Sequence, residues 1–179
     1  IGTQDSAALR ATPRDSGTTQ AQLTAGDALE VRGERMDYLQ VYDHRRERAG
    51  FVKASQVRLT NARAADTNEL LAVLRFVRDT PGQEALGVGY AAAYLKAAPA
   101  NAITAEPFDA LGSMAERLAR RASSRNGSTD NKFAAHLEGV ATYGVRILSY
   151  EQDGAVRLCY DGEAFRRVLP GGIFPTGSE

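Results

Sequence analysis

The chain has no tryptophan, one cysteine and two histidines among its 179 residues. A lone Cys159 excludes an intrachain disulfide and leaves the redox compartment open. It stands in the apolar run Val156, Arg157, Leu158, Cys159, Tyr160, where a buried, inert thiol is the expectation. His44 and His136 form no HxH or HExxH spacing, so no zinc ligand set is expected. Net charge is also missing, with 22 Lys+Arg against 22 Asp+Glu. A dedicated nucleic-acid binder normally carries a basic excess, so no nucleic-acid partner is expected. The two local Arg clusters, Arg45-Arg46-Glu47-Arg48 and Arg117 with Arg120-Arg121, read as a solvated loop and a solvated helix face. No apolar run approaches the length of a membrane span. The chain opens on Ile1 rather than Met, so its start has been removed either by processing or by the choice of segment, which leaves room for a signal peptide or anchor upstream.

What is present falls into two halves. In residues 1–59, short apolar bursts (Ala8-Leu9, Leu23, Leu29 and Val31, Tyr38-Leu39 and Val41, Phe51-Val52, Val57 and Leu59) alternate with turn formers such as Pro13, Gly17, Gly26, Gly33 and Gly50. Short strands at this spacing bury no face alone and must curl into a barrel or sandwich, and a small β-barrel is the expectation. Leu9, Leu29, Val31, Leu39 or Val41, Phe51 and Val52 are its expected core.

After a linker at 60–65 the apolar period changes from two to about 3.6, the signature of helix. Asp66 and Glu69 have capping-box spacing, followed by the stripe Leu70, Leu71, Leu74, Val77. A second helix over 83–98, rich in Gly and Ala, is thin enough for close packing and is expected to be central. A third starts at Pro107, a residue tolerated at the first helical position because its missing N–H would be unpaired there. A polar loop at 123–130 precedes a fourth helix with Phe133, Ala134, Leu137 and Val140 inward. Two strand-like runs, 145–150 and 155–160, flank Asp153-Gly154, a pair suited to a tight hairpin turn. Residues 164–169 read as a third strand or a helical turn, and 171–179 as a flexible tail. The predicted class is α+β, with a barrel at 1–59 and a helical domain closed by a hairpin at 60–170.

Four motifs in order within the barrel carry a resemblance. They are Leu9-Arg10-Ala11-Thr12-Pro13; Leu23-Thr24-Ala25-Gly26 before a strand; Tyr38-Leu39-Gln40-Val41; and Gly50-Phe51-Val52 with a short apolar end at Val57. Together they resemble the bacterial SH3-like (SH3b) domain over about a third of the chain. Tyr38 and Phe51 stand where that family often has Trp. The resemblance implies an exported or periplasmic setting, and a role in holding peptidoglycan or a protein partner. Residues 60–179 resemble no family.

SH3-like domains often accompany cell-wall hydrolases, which sets the alternative: a lytic enzyme of glycosidase or transglycosylase type with a targeting arm. The Cys-peptidases among them place His after Cys, whereas His44 and His136 both precede Cys159. A glycosidase needs a pair of carboxylates, and Glu84, Glu106, Glu116 and Glu138 supply the inventory. Gly87-Val88-Gly89 lacks the strand and the Lys of a phosphate loop. The reading is therefore a binding module with no catalytic residue, no metal and no cofactor. Its expected ligand patch is Arg10, Tyr38, Tyr42, Arg45, Arg46 and Arg48, because planar donors beside amphipathic rings are enriched in binding hot spots.

Overall fold

A computed structural model describes residues 1–60, 66–124 and 131–162. Residues 61–65 of the expected linker, 125–130 of the expected loop, the run at 164–169 and the tail at 171–179 lie outside the described residues; Ser123 and Ser124, expected in that loop, are helical. The described residues are mixed α+β: five strands in one antiparallel sheet, four α-helices and a two-stranded hairpin.

The sheet holds β1 (Ala7–Arg10), β2 (Thr19–Leu23), β3 (Glu30–Arg35), β4 (Tyr38–Asp43) and β5 (Arg48–Lys53), in the order β2-β1-β5-β4-β3. Its end strands β2 and β3 do not pair with each other, so the sheet is open where a closed barrel was expected. A 3-10 turn, Ala54–Gln56, returns the chain so that Val57 bridges Gly2. Side chains alternate along each strand. Ala7, Leu9, Leu23, Leu39, Val41 and Val52 form the buried cluster on one face.

Three expected core residues are not in that cluster: Leu29 is partly buried and packs against it, and Phe51 and Val31 lie outside it. Gly50 and Val52 point inward on β5, so Phe51 between them points outward and is half-buried. A Cβ at Gly50 would meet Leu9 at 2.8 Å, which shows that Leu9 fills the inner space above β5. Val31 lies on the end strand β3, beside a bulge, and is 43% exposed.

The helices are α1 (Thr67–Arg78), α2 (Glu84–Ala97), α3 (Glu106–Ser124) and α4 (Asn131–Ala141). Leu70, Leu74 and Val77 form the buried stripe of α1 as expected. The capping box does not form. The Asp66 carboxylate makes no cap bond, and Glu69 instead pairs with Arg58 from the end of the β-rich part. In α2, burial covers nearly the whole circumference over its first half, and the helix packs against α1, α3 and α4. A Cβ at Gly87 would overlap Met114 of α3, so the missing side chain permits this central position. β6 (Ile147–Gln152) and β7 (Ala155–Tyr160) pair through Asp153 and Gly154, at φ 52° and 73°, the positive values a tight hairpin turn requires. The outer edge of β7 leans on α3: the Leu158 N–H donates to Ser123 Oγ (2.6 Å) and the Tyr160 N–H to Glu116 (3.2 Å).

The β-rich and helical parts meet across a polar seam. The Tyr143 hydroxyl donates to the Gly26 carbonyl at 2.5 Å, and His136 Nε2 lies 2.8 Å from the Asp5 carboxylate, which also accepts the Ala25 N–H. Gly26, at φ +93°, has no room for a Cβ because Ala85 of α2 lies against it. A Cβ at Gly89 would in turn come within 3.0 Å of the Gly26 carbonyl oxygen.

Candidate functional site

The outer face of the sheet is built by strand alternation. Leu39, Val41 and Asp43 of β4 turn inward, so Tyr38, Gln40 and Tyr42 turn outward. Register then sets their neighbours. Phe51 is paired with Gln40 on one side and Arg10 on the other, Tyr38 with Lys53 and Arg35, and Tyr42 with Ala49 and Glu30. The face therefore carries three aromatic rings interleaved with Arg10, Arg35 and Lys53.

Two polar groupings order it. At one corner the Arg32 guanidinium lies 4.1 Å over the Tyr42 ring, and His44 meets the same ring edge-on at 4.8 Å. Glu30 joins them, accepting from Arg32 at 3.1 and 3.2 Å and lying 2.7 Å from His44. Hydrogen bonding by Arg32, then by His44, holds the Glu30 carboxyl below the usual carboxylate range. At the other corner Tyr38 donates to Asp15 at 2.7 Å and Lys53 to the same carboxylate. Lys53 and then Tyr38 lower the Asp15 carboxyl, while burial and this bond push the Tyr38 phenol up. Arg10 donates to the Gly17 carbonyl at 2.9 Å, pinning the 11–18 loop beside this face.

The six residues expected to form the patch divide into two sets. Arg10, Tyr38 and Tyr42 share the outer face, with Tyr38 itself buried beneath its bond to Asp15. Arg45 and Arg46 turn the other way, toward the seam. Arg46 bridges Asp27 (3.0 Å) and Asp43 (2.6 Å), and Arg45 reaches Asp27 at 3.4 Å. Arg48 is exposed and donates to the Gln20 carbonyl at 2.7 Å. Arg32, His44, Glu30, Gln40 and Phe51 are members of the face that residue-type reasoning passed over; strand parity and register from Tyr42 would have located them.

Three of the four candidate carboxylates of the helical part, Glu84, Glu106 and Glu116, are held by cations. Glu106 is bidentate with Arg75 at 2.6 and 2.7 Å, which lowers its carboxyl. Arg120 Nε makes a single bond to Glu116 at 2.9 Å and lowers its carboxyl, which also accepts the Tyr160 N–H. Glu84 is buried, bonded to Arg121 and the Gly82 N–H. Glu138 is exposed. Among the described residues no group of three or more His, Cys, Asp or Glu is arranged to hold a metal ion. None of the described helices is long and apolar enough to cross a membrane. Comparison with protein-family models, with curated proteins and with solved structures returns no match to this chain.

Proposed function

We propose that the chain is a non-catalytic binding and scaffold module of the bacterial cell envelope. Its β-rich part is SH3-like, and it engages peptidoglycan or a protein partner through the outer face of the sheet. The observation that carries this reading is the Tyr42 corner, where a guanidinium stacked on a ring is oriented by a shared carboxylate. Aromatic rings ordered beside Arg are the side chains that dominate binding hot spots. The chain path supports the SH3-like reading: five short antiparallel strands, then a 3-10 turn leading Val57 back to Gly2. The lytic-enzyme alternative gains little from the helical part. A glycosidase acid must keep its proton near neutral pH, and Glu106 and Glu116 are pushed the other way by Arg75 and Arg120.

The test is co-sedimentation with purified peptidoglycan, and retention of envelope proteins, by the parent and by an Arg32→Ala/Tyr42→Ala variant. The variant should lose most retention, and the parent's retention should weaken with salt, because exposed charges are screened beyond about 8 Å at physiological ionic strength. Equal retention by both proteins at low and high salt would remove this face from the account.

A further inference from the structure

A cleft of about 380 Å³ opens between the two parts of the molecule, away from the outer face of the sheet. Its floor is one face of α2: Gly89, Ala92, Ala93 and Lys96 fall at i, i+3, i+4 and i+7 and line it together. Leu70 of α1 and Leu29 of the β-rich part form its walls. The size and the mostly apolar lining are those of a small-molecule site.

Charge decides what such a site would take. After Glu84 in its first turn, the only charged residue of α2 is Lys96. Its side chain is exposed and makes no ion pair with any described residue. The other polar groups that line it are the Tyr143 hydroxyl, given to Gly26, the Ile1 nitrogen, which donates to the Arg58 carbonyl, and the uncharged Thr60 hydroxyl; in the adjoining cleft Arg58 pairs with Glu69 and Glu30 with Arg32. An apolar trough with one free ammonium at its end therefore matches a ligand with an apolar body and a single negative head. The small residues of α2 leave room for the body, and the ammonium gives a carboxylate the countercharge that an alcohol or amine of equal length cannot use.

We propose that this cleft binds a small aliphatic carboxylate, its chain along Gly89, Ala92 and Ala93 and its head at Lys96. This proposal is independent of the outer face and of the envelope reading.

Calorimetric titration of the full chain with octanoate, octanol, octylamine and butyrate tests it. Octanoate should bind saturably, octanol more weakly, and octylamine and butyrate weaker still. Lys96→Gln, a change at an exposed position, should cut the preference for octanoate over octanol at least threefold, the scale of a solvent-exposed ion pair. Ala92→Leu, which fills the floor, should abolish octanoate binding while the near-ultraviolet circular dichroism spectrum stays that of the parent. Absence of saturable octanoate binding would overturn the proposal. So would a Lys96→Gln protein with undiminished preference, or a folded Ala92→Leu protein that binds as the parent does.

Discussion

Replacing Asp27 by Asn should destabilise this protein out of proportion to the single charge it removes. The carboxylate is 6% exposed and its Oδ2 accepts from the Thr24 N–H (3.0 Å), Arg46 Nη1 (3.0 Å) and Arg45 Nη2 (3.4 Å). Gly139 of α4 packs over it; a Cβ there would lie 3.6 Å from Oδ1. Asn keeps the shape and the bond to Thr24 but withdraws the countercharge from two guanidiniums whose side chains are only 19% and 23% exposed. Arg46 retains Asp43, and both cations retain some contact with water, so the loss is below that of a fully buried ion pair. A charge-assisted hydrogen bond is worth about 1.5–3 kcal/mol, and about 2 kcal/mol is the expected cost here. For a chain of this size that lowers the melting midpoint by about 4–8 °C. Asp27→Ala also orphans the Thr24 N–H and should cost about 1–3 kcal/mol more. Differential scanning calorimetry reads both, with Arg120→Ala as the control: Arg120 is 75% exposed in a helical i,i+4 pair, and its loss should leave the midpoint where it was. Because the seam joins both parts, a single transition should move as a whole. An Asp27→Asn midpoint no lower than that of Arg120→Ala would refute the reasoning.

Strand parity predicts unequal losses at two neighbouring apolar positions of the sheet. Leu9→Ala, at 0% exposure, should cost about 3–4 kcal/mol in urea unfolding, and Phe51→Ala, on the outer face, about 1 kcal/mol; equal losses would contradict the inward turn of Gly50 and Val52. A second prediction concerns alkaline pH. Burial pushes the Tyr143 phenol well up, with Asp27 adding to the shift. The folded pKa therefore exceeds the unfolded value of about 10. The corresponding stability is complete below about pH 10 and is lost as pH rises toward the folded pKa. Urea midpoints measured from neutral pH into this range should fall more steeply for the parent than for Tyr143→Phe; parallel curves would show that Tyr143 ionises as freely folded as unfolded.

The features legible in the sequence are those whose cause is local. The stripe Leu70, Leu74, Val77 follows from helical period alone, and the hairpin at Asp153-Gly154 from the positive φ that this pair accepts. Reading failed where a partner distant in the chain claimed the residue. Glu69 has capping-box spacing to Asp66, yet Arg58 takes its carboxylate. Arg45 and Arg46 sit in a stretch that looks solvated, and nothing nearby in the chain announces that Asp27 lies buried beside them. His136 looks like an ordinary helix residue until Asp5, 131 positions away, is brought against it. Phe51 is a different failure. Its hydrophobicity argued for the core, but parity from Gly50 and Val52 put it outside, and a single backbone register outweighs the preference of one ring. The candidate face was half legible for the same reason. Tyr42 and Arg10 stand out by residue type, while Arg32, Glu30 and His44 become its neighbours only once β3 is laid beside β4. The seam and the face draw on the same short stretch of chain, from Tyr42 to Arg46. Tyr42 and His44 order the outer surface, while Asp43 and Arg46 anchor the seam with Asp27. Removing Arg45, Arg46 and Arg48 together would thus disturb the packing of α4 along with any ligand contact, whereas Arg32→Ala/Tyr42→Ala alters the outer surface and leaves the Asp27 network in place.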